Sequence, residues 1–144
     1  MYKRILITVE HSWADRTILD HVQRLARMCG ARLLVLHVAD GWAARAYDDL
    51  TLRDSPEIVA DRAYLEKVRV ELAGAGFDVE TRLAMGDPAT EIVRIAETES
   101  IDLVAMATHG HRFLKDVILG ATVDKVRHTL KIPVLLLQAH QNES

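Results

Sequence analysis

The stretch ATHGHRFLKDVILGAT, Ala107 to Thr122, sets Gly110 and Gly120 ten positions apart and ends on a hydroxyl. Glycine lets backbone N–H groups come close to a ligand, and the first N–H groups of a helix, with its macrodipole, favour an anion. With Gly120 just before a helix, this stretch has the means to hold a phosphate, and Thr122 could add a hydroxyl. A plain turn and helix cap is the simpler alternative. His11, His37, His109 and His111 raise a second chemistry, since three of them could converge on zinc. No His-x3-His helical pair or Cys-x2-Cys pair supports that, and His37 inside LLVLHV reads as a satisfied core or strand-end residue. His111 and Arg112 offer phosphate or ribose contacts and Lys115 a phosphate charge, with a solvated loop as the alternative.

Familiar phosphate motifs are excluded. No Gly-x4-Gly-Lys-Ser/Thr occurs, and the first strand-to-helix turn, VEHSWAD, has no glycine and so cannot be the dinucleotide fingerprint. Thr108 stands where a His-x-Gly-His pattern needs its first histidine. Trp13 and Trp42 could stack on a base or pack against a loop. Met85-Gly86-Asp87-Pro88 reads as a turn followed by a helix start.

These residues must be held by strands and helices. Short β-branched or leucine-rich runs at Ile5–Val9, Leu33–Val38, Phe77–Leu83, Leu103–Ala107 and Val134–Leu137 suit strands buried on both faces. The third alternates most and belongs nearest an edge. Helical stripes lie between: Ile18, Val22, Leu25 and Cys29; Ile58, Leu65, Val68 and Leu72; Ile92, Ile95 and Ala96; Val123, Val126 and Leu130. Cys29, in the first stripe, reads as an inert core thiol.

The punctuation agrees. Ser12 with Asp15 resembles a capping box, Ser55-Pro56 and Asp87-Pro88 start helices, and Gly30 and Gly74 stand where helices should end in a left-handed residue. Residues 39–54, with Gly41, Trp42 and Tyr47, form a connection longer than usual. The expected fold is α/β, one doubly wound five-stranded parallel sheet with helices on both faces. If the first strand is central, the loops after strands one and four flank the ligand crevice at the carboxyl edge: Glu10-His11-Ser12 on one side, Thr108 to Gly120 on the other.

Composition narrows the class. The 144 residues, 49% hydrophobic and 27% charged, fit one domain, residues 1–144. A formal charge of −3 leaves no field to attract nucleic acid. The start, MYKRILITVE, is too short in apolar residues for a signal segment or membrane span, and one cysteine allows no internal disulfide. The expected setting is the cytoplasm, with no nucleic-acid or membrane partner.

From KRILITVEHS through LLVLHV and GDPATEIV to IPVLLL, the chain resembles the universal stress protein family, and the match is collinear. The resemblance implies a Rossmann-like sheet of order 3-2-1-4-5. ATP-binding members carry Gly-x2-Gly-x9-Gly-Ser/Thr; here the counterpart is Ala107-Thr108-His109-Gly110, nine residues, then Gly120-Ala121. Ala121 removes a hydroxyl that Thr122 could replace, and Ala107 adds a methyl near the sugar. By the same resemblance the adenine side falls on Thr8, Val9, Glu10 and Val38, with Glu10 where the family usually has Asp and His11 where it often has Gly. The implied nucleotide set is completed by Met106, Ala107, Gly110, His111, Gly120, Ala121 and Thr122.

The function this implies is a stress-response regulator binding ATP or a related adenine nucleotide, with or without Mg²⁺. No obligatory base or arginine finger marks an enzyme, although slow hydrolysis is not excluded. The resemblance also implies a homodimer through the last strand around Val134, Leu135 and Leu136. A nucleotide-free dimeric interaction protein is the main alternative and a metal-binding module the weaker one. The chain names no protein client.

Overall fold

Runs buried on both faces become the strands: β1 (Arg4–Val9), β2 (Arg32–Ala39), β3 (Val79–Met85), β4 (Leu103–Thr108) and β5 (Val134–Gln138). Between them lie α1 (Asp15–Cys29), α2 (Pro56–Gly74), α3 (Pro88–Thr98) and α4 (Lys115–Thr129). The structure, a computed structural model, describes residues 1–39, 55–108 and 115–140, the side chains of 115–119 excepted. The connection after Ala39, with Trp42 and Tyr47, and the sequence around Gly110 and His111 lie outside the described residues.

All the described strand pairings are parallel, in the order β3-β2-β1-β4-β5. The alternation of side chains along each strand divides the core in two. Ile5, Ile7, Val9, Leu33, Val35 and Ala105 face α1 and α2, whereas Leu6, Leu34, Leu36, Val104 and Met106 face α3 and α4. Each helix presents the stripe its spacing requires: Ile18 and Val22 of α1 and Ile95 of α3 are fully buried. Burying each such side chain contributes about 1.5–3 kcal/mol. β3, the most alternating run, lies at an edge as expected.

The caps show where local chemistry acts. Ser55 and Asp87 each accept a hydrogen bond from the N–H three residues on, Ile58 and Thr90. Gly30 ends α1 at φ 66. At the end of α2 the expectation of a left-handed Gly74 is corrected: Gly74 is the last helical residue, and Gly76, at φ 98, is the left-handed one. Gly76 N–H donates to Ala73 O and Phe77 N–H to Leu72 O, the reciprocal pair that closes a Schellman end. That use of Phe77 is why β3 starts at Val79.

A second correction concerns α4. It begins at Lys115, so Gly120 lies inside the helix instead of ahead of its first turn. An interior glycine costs about 1 kcal/mol relative to alanine. Burial of Val123 and Val126 in the core helps the helix bear it.

Candidate functional site

The sheet opens at its middle. β1 pairs with β2 as far as Val9 opposite His37, but its rungs with β4 end at Ile7 opposite Ala105. Beyond that last rung, Thr8 and Val9 on one side and Met106 and Ala107 on the other border a crevice. This is where strand order reverses, the place at which open parallel sheets bind ligands. Leu36, Val38, Pro88, Ile92 and Met106 make its apolar walls; Thr8, Glu10 and Thr122 supply polar side chains. Such a lining suits a flat, mostly apolar ring held by a few polar groups at its edges.

Of the residues expected from the sequence, Thr8, Val9, Glu10, Val38, Met106, Ala107 and Thr122 line this one crevice. Gly120 and Ala121 sit on α4 with exposed side positions, while Thr122, one residue on, is buried and borders the crevice. A Cβ added at Gly120 would meet nothing within 4 Å, so packing inside the described residues does not require a glycine there. Ala107, besides bordering the crevice, packs into the core on the α1 side, and its φ is not positive. Its methyl therefore adds no left-handed strain and is accommodated by core packing.

The sequence reading missed Leu36, His37, Pro88 and Ile92 as lining residues. Leu36 was accessible by parity, being two residues from Val38 on the same face. Pro88 was read only as the start of a helix, which it is, one residue after the Asp87 cap. The Thr90 hydroxyl and N–H, followed by Lys125, hold the Asp87 carboxyl below the usual carboxylate range.

The turn after β1 is occupied by an internal anion. Asp15, 2% exposed, accepts from the N–H groups of Glu10 (2.9 Å), His11 (2.9 Å) and Ser12 (3.2 Å), and Tyr64 Oη donates to it at 2.6 Å. The expected capping box is met by half: Asp15 reaches back to the Ser12 N–H, but α1 begins only at Asp15, with Ala14 before it making no side-chain cap, and Ser12 Oγ accepts from Ala14 N–H. Those N–H groups are committed to Asp15, so this turn does not present them to a phosphate. Burial, reinforced by the Asp15 contact, pushes the Tyr64 phenol far up and keeps it a neutral donor.

His37 is satisfied as expected, with Nδ1 2.9 Å from Val9 O and Nε2 3.2 Å from Asp61. No group of three or more His, Cys, Asp or Glu among the described residues is arranged to hold a metal ion. Trp13 borders a separate groove between α1 and α2, away from the crevice lining, and Cys29 is partly buried against the α1-side core. No helix among the described residues is long and apolar enough to cross a membrane.

Comparison with known proteins gives a consistent result. The model of the universal stress protein family matches residues 1–138. Universal stress protein MJ0577 of Methanocaldococcus jannaschii is 28% identical, with 96% of each chain covered. A solved structure of MJ0577 superposes with a TM-score of 0.81 over 99% of both chains. A universal stress protein in complex with cAMP is similar at 20% identity and TM-score 0.72, covering 95% of this chain and 97% of that one. The universal stress protein of Archaeoglobus fulgidus in complex with dAMP is similar at 20% identity and TM-score 0.66, covering 94% and 97%.

Proposed function

Because the chain belongs to the universal stress protein family, we propose that it is a regulatory protein of the stress response that binds an adenine nucleotide, ATP or a close relative, with or without Mg²⁺. The observation that carries this reading is the meeting of Thr8, Val9, Glu10, Val38, Met106, Ala107 and Thr122 around one crevice at the reversal of strand order. The cAMP and dAMP complexes of proteins with this fold support the ligand class. In this reading the base lies against the apolar wall of Leu36, Val38 and Met106, and the phosphates run toward α4. Thr122 takes over the hydroxyl role that Ala121 lacks, and Gly120, which among the described residues has no packing reason to be glycine, leaves room for close approach. Residues 1–144 act as one cytoplasmic domain, dimeric through β5, and binding needs no catalysis.

The test is to denature gently purified, untagged protein and identify released small molecules by mass spectrometry, then titrate ATP, AMP and GTP calorimetrically. Near-stoichiometric adenine nucleotide is expected, with adenine preferred over guanine. Thr122→Val should weaken binding by up to about tenfold, the worth of one neutral hydrogen bond. An empty protein that gives no heat with any nucleotide favours the second reading, a nucleotide-free dimeric interaction protein, for which the alanines at 107 and 121 speak. Sustained phosphate release from ATP, lost on substitution of Gly120, would overturn the non-catalytic assignment.

A further inference from the structure

On the α1–α2 side of the sheet, one carboxylate is shared by two imidazoles. Asp61, in the second turn of α2, places Oδ1 2.9 Å from Nδ1 of His11 and Oδ2 3.2 Å from Nε2 of His37. The other ring nitrogen of His37, Nδ1, lies 2.9 Å from the carbonyl oxygen of Val9. The side chains of His37 and Asp61 are only 12% and 13% exposed.

Counting donors shows what this arrangement needs. A carbonyl oxygen only accepts, so Nδ1 of His37 carries a hydrogen. An ionised carboxylate also only accepts, so the contact between Nε2 and Oδ2 is a hydrogen bond only when a second proton lies between them. His11 makes no such demand, because a neutral ring with its hydrogen on Nδ1 donates to Oδ1. The 3.2 Å approach of Nε2 to Oδ2 is therefore attractive only with one proton more than two neutral imidazoles and a carboxylate carry.

We propose that His11, Asp61 and His37 form a proton-dependent clasp fastening α2 to the carboxyl ends of β1 and β2, and that through Val9 and His37, which also border the crevice, it tunes ligand affinity there. The second half rests on the nucleotide reading above; the first does not. Removing the extra proton sets a lone pair of Nε2 against the carboxylate, so the clasp holds at the acid end and opens as pH rises.

The groups around it have settled roles. Tyr64 of α2 stacks on His11, ring centroids 4.2 Å apart, and is committed to Asp15 of α1. Asp15 is in turn filled by the backbone of Glu10, His11 and Ser12. Arg16 of α1 pairs with Asp20 and with Glu71 of α2. Glu10 and Arg62 are the charged chain neighbours of His11 and Asp61.

The deciding variant is Asp61→Asn. An amide accepts from His11 at Oδ1 and donates from Nδ2 to an unprotonated Nε2 of His37, closing the clasp without the extra proton. Asp61→Ala opens it at every pH. The experiment follows imidazole nitrogen shifts and amide exchange protection of α2 by NMR in the full chain, across about pH 5.5 to about 8, where imidazoles change charge. In wild type, His37 is expected to carry hydrogens on both nitrogens at the acid end, with α2 protection falling about tenfold or more as one is lost. Asp61→Asn should show high, pH-independent protection and Asp61→Ala low protection throughout. A singly protonated His37 at the acid end, unchanged protection in Asp61→Ala, or wild-type pH dependence in Asp61→Asn would overturn the clasp. Calorimetric AMP titration at both ends of the range tests the second half: affinity should vary with pH in wild type and not in Asp61→Asn. Equal wild-type affinity at both ends overturns that half, and no binding at either end overturns the nucleotide reading with it, while the NMR readout still decides the clasp.

Discussion

His11 concentrates the residue-scale physics of this protein. Its φ of 61 is a conformation that glycine adopts freely and other residues at a cost of about 1–2 kcal/mol. The hydrogen bond to Asp61 and the stack on Tyr64 offset that cost. His11→Ala should keep the strain and lose both contacts, destabilising by about 1–2 kcal/mol, whereas His11→Gly should lose the contacts but relieve the strain. The glycine variant is therefore expected to be the more stable of the two by about 1 kcal/mol in urea denaturation; the reverse order would mean the backbone is unstrained. That a small residue is usual at this position was visible in the family resemblance. The partner that makes histidine useful was not, because Asp61 lies 50 positions away. The same holds for Ala107, a departure in the motif whose methyl the core takes up.

At the scale of elements, α3 joins local capping to the crevice. Asp87 caps it through Thr90, and the helix then delivers Pro88 and Ile92 to the crevice wall. Asp87→Ala should cost about 1 kcal/mol at neutral pH. The folded-state pKa of Asp87 is depressed, so its contribution is present above the unfolded carboxylate value and is lost as pH falls through the folded one. The stability gap between wild type and Asp87→Ala is accordingly expected to be full at pH 7 and to narrow below about pH 4, as urea denaturation at several pH values would show. Caps of this kind were legible because they depend on residues three or four apart. The start of α4 was not: a glycine two residues before a hydroxyl reads as a helix boundary locally, while the burial that carries the helix through Gly120 involves the rest of the core.

For the whole molecule, the open question of assembly lies at β5. Among the described residues it pairs only with β4, leaving one edge of backbone donors and acceptors there, and Leu136 is 36% exposed while Val134 and Leu135 are half-buried. An apolar sheet edge of this kind favours pairing with a second copy. Sedimentation at micromolar concentration should give a dimer, and Leu136→Lys should shift it to monomer without loss of helical signal; a monomeric wild type would remove the dimer from the proposal. Local patterning in the chain was enough to set the number of strands, their alternation with helices and the edge position of β3, because periodic burial and capping act over a few residues. Which residues meet was decided by the packed sheet. The early end of the β1–β4 rungs opens the crevice, and the register of Val9 with His37 sets the second imidazole within reach of Asp61. Both depend on pairing between segments distant in sequence, whose energies exist only once the strands and helices are in place.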